Sequence, residues 1–255
     1  KGIPTLNLDR PATLHDGISS LTTDEAKYHA AYFDEKKITL KLKKFVPASG
    51  AASRMFKFLL EFITGFDPEN ESINAYINKN KEKNLALFIF AKDKFPFHEA
   101  LVNTLQTNYP NFDQLSADQK EVAYIKTMLL HPDFDFSNKP KGILPFHKYP
   151  NHVATPIEEH LQECIAYATS NGKSNLHFTV SEEHVSGFQK TVNPLIQQLQ
   201  IEKGVEINVT YSFQNPATDV VAMDHHNKPF REKDESIVFR PGGHGALIEN
   251  LNKLN

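Results

Sequence analysis

The feature that most constrains this chain is an alternation of element types over residues 155–213. Thr155-Pro156-Ile157-Glu158 supplies a threonine cap, proline at the first helical position and an acid at the third, so a helix starts here. It is expected to run to about Ser170 and stop at Asn171-Gly172. Residues 176–180 read as a strand, Ser181 caps a helix to about Leu199, and residues 205–213 alternate as a strand. Upstream, residues 40–46 read as a first strand. Strands separated by helices pair in parallel through right-handed crossovers. The pattern therefore predicts an α/β fold with a doubly wound, mainly parallel Rossmann-like sheet.

The rest of the chain is organised around that unit. Residues 1–20 are turn-rich, with Pro4, Pro11, Asp16 and Gly17, and Leu6 and Leu8 are expected to pack down between the turns. Thr22-Thr23-Asp24-Glu25 offers a capping box that opens a helix to about Asp34. Residues 56–138 carry helical apolar spacing, with Ser116 capping the last helix. The run at 85–90 fits either a buried strand or a buried helix segment. The expected organisation is an N-terminal arm and helix over 1–40 and an α/β domain over 41–255, with a helical insertion at about 56–138.

Charge and cysteine usage narrow the partners. A formal charge of -3 gives no general attraction to nucleic acid or to an anionic membrane, so any phosphate binding must be local. No apolar run approaches the roughly 18 residues of a membrane span, and the first residues lack a signal-peptide pattern. The single cysteine, Cys164, cannot form an internal disulfide and falls on the apolar face of its helix with Ile157, Leu161, Ile165 and Ala168. It is expected in the core. A reducing, cytoplasmic setting follows as an expectation.

Four loops carry the candidate chemistry. Phe45-Val46-Pro47-Ala48-Ser49-Gly50-Ala51-Ala52-Ser53-Arg54-Met55 runs from a strand end through very small residues toward a helical pattern. Small side chains let a ligand approach the backbone, helix-start N–H groups favour an anion, and arginine adds a fork for phosphate oxygens. Lys139-Pro140-Lys141-Gly142-Ile143-Leu144-Pro145 is a lysine-dense loop, Phe213-Gln214-Asn215-Pro216 leaves the last strand, and Arg240-Pro241-Gly242-Gly243-His244-Gly245 opens a final helix. Asp224-His225-His226 suggests a metal cluster, yet neighbouring side chains on extended backbone point oppositely.

In this order the four loops resemble the signatures of the UDP-sugar pyrophosphorylase branch of the sugar-nucleotidyltransferases. Ala48 to Met55 stands in the frame of that family's Leu-Ala-Gly-Gly-x-Gly-Thr-Arg-Leu/Met, and Pro140-Lys141 in that of its Pro-Lys. Phe213-Gln214-Asn215-Pro216 is similar to its Phe-x-Gln, and Pro241-Gly242-Gly243-His244-Gly245 to its Pro-Pro-Gly-His/Asn-Gly. The wording Pro-Ala-Ser-Gly-Ala-Ala-Ser-Arg-Met is also similar to that of a longer, uncharacterised bacterial family.

The resemblance implies that a sugar 1-phosphate attacks the α-phosphate of a nucleoside triphosphate, with UTP implied by the branch, and releases pyrophosphate. In that scheme Arg54 and Lys141 are the catalytic phosphate contacts. Ala48, Ser49, Gly50 and Ser53 lie against the nucleotide, Gln214 bonds the base, and Gly243 and His244 contact base or ribose. Lys141 reaches the site only if the insertion folds outward. Ala52 stands where the family has a second loop glycine, so a Cβ there limits phosphate approach. The implied Mg2+ is expected to take its aspartate from beyond Asn255. A non-catalytic nucleotide or nucleotide-sugar binding module is the alternative, and a metal hydrolase centred on Asp224 a third reading.

Overall fold

A computed structural model describes residues 7–50, 52 and 54–254. The fold is mixed α/β, as the alternation predicts. Its sheet holds β1 (Lys44–Pro47), β2 (Thr169–Ser170), β3 (Lys173–Val180) and β4 (Glu206–Phe213). β3 is central. It pairs in parallel with β1, register Val46 to Phe178, and in parallel with β4, register Phe178 to Tyr211. The short β2 pairs antiparallel with the start of β3.

Two helices cover one face of this sheet: α7 (Pro156–Tyr167) between β1 and β3, and α8 (Val185–Lys203) between β3 and β4. Period-2 alternation on β3 sends Leu176, Phe178 and Val180 to that face. They share a core with Ile157, Leu161 and Cys164 of α7 and Phe188, Val192 and Leu199 of α8. The strands advance in one direction, β1 to β3 to β4, and right-handed crossovers made in one direction put their helices on one side. No described crossover reverses that direction; the other face is reached instead by the short helix Ile248–Asn252, whose Asn250 Nδ2 donates to Ser212 Oγ at 2.8 Å. The opposite face carries His177, whose ring stacks on Phe45 at 5.6 Å and bonds Thr210 Oγ1 and Ser212 Oγ, each at 2.8 Å.

Several local outcomes differ from the sequence reading. The first strand starts at Lys44 because Lys37–Thr39 forms a 3-10 turn, and side chains then tether residues 40–42: Ser170 Oγ donates to Leu40 O and Asn175 Nδ2 to Leu42 O. α7 ends at Tyr167, and Asn171-Gly172, both at positive φ (50° and 71°), make the two-residue turn that joins β2 to β3. A 3-10 turn, Glu182–His184, separates Ser181 from α8. The N-terminal helix α1 (Thr23–Lys36) has the expected capping box but buries no residue. Leu8 is exposed, so the arm does not pack down there; Leu6 lies outside the described residues.

Between β1 and α7 lies a helical bundle with its own core: α2 (Lys57–Gly65), α3 (Ile73–Asn80), α4 (Lys83–Ala91), α5 (His98–Asn108) and α6 (Ala117–Leu130). The ambiguous run at 85–90 is helical, within α4, and Leu85 and Phe88 fill the centre. Leu59, Phe62, Leu101, Leu105, Ile125 and Met128 are fully buried with them. At about 1.5–3 kcal/mol for each such side chain, this core contributes to the bundle's stability separately from the core under the sheet. Stacked and edge-on rings tie its walls together, among them Phe95–Phe97 at 5.2 Å and Phe97–Phe136 at 4.9 Å.

Candidate functional site

The bundle leaves and rejoins the sheet domain at one place. The Ala52 N–H donates to Lys139 O (3.4 Å), and the Lys141 N–H donates to Gly50 O (3.2 Å). These two bonds close a neck in which the small-residue loop and the lysine loop lie side by side. The insertion does fold outward, and Lys141 is brought beside Gly50. Lys141 is kept there by packing on the helices behind it. A Cβ at Gly142 would meet Phe188 Cζ at 3.2 Å and Ile157 Cγ1 at 3.4 Å, so a larger residue would push these side chains back by a few tenths of an ångström.

The neck stands at the carboxyl edge of the sheet. Ala48 N–H donates to Thr179 O at 2.8 Å, so Gly50 follows directly from the paired end of β1. The parallel register aligns the end of β1 with Thr179 of β3 and, on the other side, Thr179 with Ser212 of β4. Gln214 therefore leaves the same edge two strands away, a separation of about 10 Å. Its side chain reaches the second glycine loop: Nε2 lies 3.3 Å from Gly242 O and 3.1 Å from Thr218 Oγ1. A carbonyl oxygen only accepts, so the atom facing Gly242 is the amide nitrogen. Both its hydrogens are engaged, and Oε1 is left as an acceptor. Gly242 itself is held against the turn Pro216–Thr218, since a Cβ would fall 2.7 Å from Thr218 O.

A family model for a domain of unknown function, DUF4301, matches residues 1–255. The chain belongs to the DUF4301 family. No curated protein and no solved structure matches it.

In this DUF4301 chain the loop geometry corrects one local expectation. The helical pattern after Gly50 becomes a turn, in which Met55 N–H donates to Ala52 O at 2.8 Å, and α2 begins only at Lys57 without a side-chain cap. The reason is Ala52, whose methyl is fully buried in the bundle core. Its Cβ thus points away from the loop's open side, where among the described residues nothing lies within 4 Å of the space a Cβ on Gly50 would fill. Gly243 is likewise open, and Arg54 and Lys141 are exposed with no ion pair among the described residues. Ser53 lies outside the described residues. So does the side chain of His244, whose backbone opens the 3-10 turn His244–Leu247 ahead of the short α9 (Ile248–Asn252).

The neck brings lysines together with the carboxylates of Asp133 and Asp135. Lys139 donates from Nζ to Asp133 O at 2.9 Å, and burial pushes its pKa down. The sequence reading passed over His184, which follows the carboxyl end of β3. Its Nε2 lies 2.9 Å from Asn138 O, while Nδ1 is buried with no hydrogen-bond partner. Its place between a parallel strand and the next helix is the signal that could have marked it.

Asp224 has a structural role. Its Oδ1 accepts from the N–H groups of His226 and Lys228, both at 2.8 Å, and closes a turn inside the extension between β5 (Val220–Val221) and β6 (Phe239–Arg240). Among the described residues no three His, Cys, Asp or Glu side chains stand together in a way that could hold a metal ion. Around the neck the carboxylates of Asp133 and Asp135 stand near Lys139, and Asp135 Oδ1 accepts from Asn138 Nδ2 at 2.7 Å, so these hard oxygen ligands face a cation and an amide. Cys164 is buried as expected, its thiol pushed up to about 11 by burial. Among the described residues no helix is long and apolar enough to cross a membrane.

Proposed function

We propose that this chain binds a nucleotide at the carboxyl edge of its sheet, as part of a nucleotidyltransferase-like, Rossmann-related unit that joins UTP and a sugar 1-phosphate. The observation that carries the reading is the meeting of loops far apart in sequence. Gly50 and Lys141 are joined by a hydrogen bond, and Gln214 and Gly242 are joined by another on the same edge. In this reading the phosphates lie over the loop backbone at Ser49 and Gly50, next to Ala48, whose N–H is held by Thr179 O, with Lys141 and Arg54 as their cations. The base lies across the edge against Gln214 and Gly243, with His244 beside it. A sugar-phosphate oxygen attacks the α-phosphorus, the bond to the β-phosphate oxygen breaks, and pyrophosphate leaves. Such a transfer needs charge neutralisation and in-line placement more than covalent help.

The amide orientation of Gln214 supports the choice of base. With Nε2 committed to Thr218 and Gly242, Oε1 suits a base that presents an imino N–H. Uracil N3–H and guanine N1–H are such donors; cytosine N3 and adenine N1 carry lone pairs, and those bases donate only from their exocyclic amino groups. A second reading, a binding module without turnover, is favoured by the absence of a helix start next to Gly50: α2 begins at Lys57, so the loop lacks the full dipole of a helix N-terminus.

Isothermal titration with UTP, CTP and a UDP-sugar tests binding. The expected order is uracil ligands above CTP, with Lys141→Ala weakening phosphate-bearing ligands roughly 10-fold or more, as for a lost bond to a charged group. No binding, or binding untouched by both Lys141→Ala and Gln214→Ala, would overturn the proposal. Pyrophosphate release from UTP and sugar 1-phosphate then separates transferase from binding module.

A further inference from the structure

The contact between His184 and the neck assigns a residue to the site that none of the four loops contains. His184 ends the 3-10 turn after β3 and occupies the cap position of α8. Its Nε2 must donate to Asn138 O, because a carbonyl only accepts. Three residues after Asn138 stands Lys141, whose own N–H bonds Gly50. The first turns of α8 press on the same segment, since a Cβ at Gly187 would lie 3.4 Å from Ile143 Cδ1 and one at Gly142 3.2 Å from Phe188. His184 therefore clamps the strand of the neck that carries Lys141.

A purely structural residue would be an uneconomical choice here. The cap position of a helix favours Asn, Asp, Ser or Thr, and His184 makes no side-chain cap bond to α8. Its Nδ1 is buried without a hydrogen-bond partner, with Glu183 Oε1 3.7 Å away. A buried polar atom without a hydrogen bond destabilises a fold, so the side chain gives up the cap bond and a hydrogen bond at Nδ1 while keeping one bond to the neck.

We propose that His184 is a positioning residue of the carboxyl-edge site, acting through Asn138 to hold Lys141 against Gly50 for contact with a ligand phosphate. This rests on the nucleotide reading of the same site. The ligand class it selects is one with a phosphate at the neck, including pyrophosphate itself.

The test compares two conservative variants in the full chain, titrated with UTP and with inorganic pyrophosphate. His184→Asn places a preferred cap on α8 but is too short to reach Asn138. Its melting temperature should equal or exceed that of the wild type while phosphate-ligand affinity falls about 5- to 10-fold, the scale of one lost hydrogen bond. His184→Gln can place an amide N–H where Nε2 was and should stay within about 3-fold of the wild type. In a Lys141→Ala background His184→Asn should cost nothing further, because the residue acts through the lysine. Losses that multiply, affinity that tracks melting temperature, or His184→Asn binding both ligands as the wild type does would each overturn the proposal alone. A wild-type chain that binds neither ligand would overturn the nucleotide reading and this one with it.

Discussion

Gly242→Ala should destabilise the carboxyl edge where Gly243→Ala does not. The added methyl would stand 2.7 Å from Thr218 O, closer than such atoms approach, and a tight 3.1 Å from Ala246 Cβ. Thr218 cannot retreat freely. Its turn is closed by Thr218 N–H to Asn215 O at 2.8 Å and by Ala217 N–H to Asn215 Oδ1 at 3.0 Å. The strain of overpacking is about 1–3 kcal/mol. Displacing Gly242 also breaks the Gln214 bond, about 1 kcal/mol more. A loss of about 3 kcal/mol lowers the melting temperature of a chain of this size by roughly 6–12 °C. Gly243 has negative φ and nothing within 4 Å of its added Cβ, so its alanine variant should melt within about 0.5 kcal/mol of wild type. Differential scanning fluorimetry on the two variants reads the difference. Equal melting of Gly242→Ala and wild type would refute the packing that joins the second glycine loop to Gln214.

Three further outcomes rest on the same geometry. The Cys164 thiol, pushed up to about 11 by burial, should resist alkylation at pH 8 in the folded chain and react fully in denaturant; rapid labelling of folded protein would contradict its burial. Burial, and then the charge of Lys43, lowers the His177 pKa below its ordinary 6.5, so the unfolded chain binds that proton more readily and stability should fall as pH drops below about 6.5. His177→Gln should flatten this part of the urea-melt pH profile, and an unchanged slope would remove His177 from the explanation. Lys92 pairs with Glu121 inside the bundle, where Glu121 Oε2 already lacks a partner. Lys92→Met should cost about 1–2 kcal/mol in urea unfolding by leaving a half-buried charge without its partner, and pairing it with Glu121→Gln should recover most of that; equal single and double losses would contradict it.

What was legible in the sequence was whatever local chemistry decides. The capping boxes at Thr22 and Ser116 formed with their partners Glu25 and Gln119, and the Thr155-Pro156 start formed with Glu158 bonded to the cap. Both parallel crossovers and the burial of Cys164 followed from periodicity. What escaped depended on partners far away in the chain. Asn171-Gly172 reads as a helix stop until β3 supplies a strand for residues 169–170 to pair with. The pattern after Gly50 reads as a helix start until the bundle core claims the methyl of Ala52. His184 carries no motif; its relevance comes from Asn138, 46 residues earlier in the chain. The four loops of the candidate site were visible as loops, but only the neck showed that the lysine loop returns to the first.

The most direct measurement is a backbone amide NMR titration of the full chain with UTP and with a UDP-sugar. Binding at the carboxyl edge should move the amides of Ala48 to Gly50, Lys141, Gln214 and Gly243 together. Shifts confined to the amino edge, around Leu40–Leu42, Asn175 and Asn208, where a cavity of about 560 Å³ opens, or no shifts at all, would contradict it.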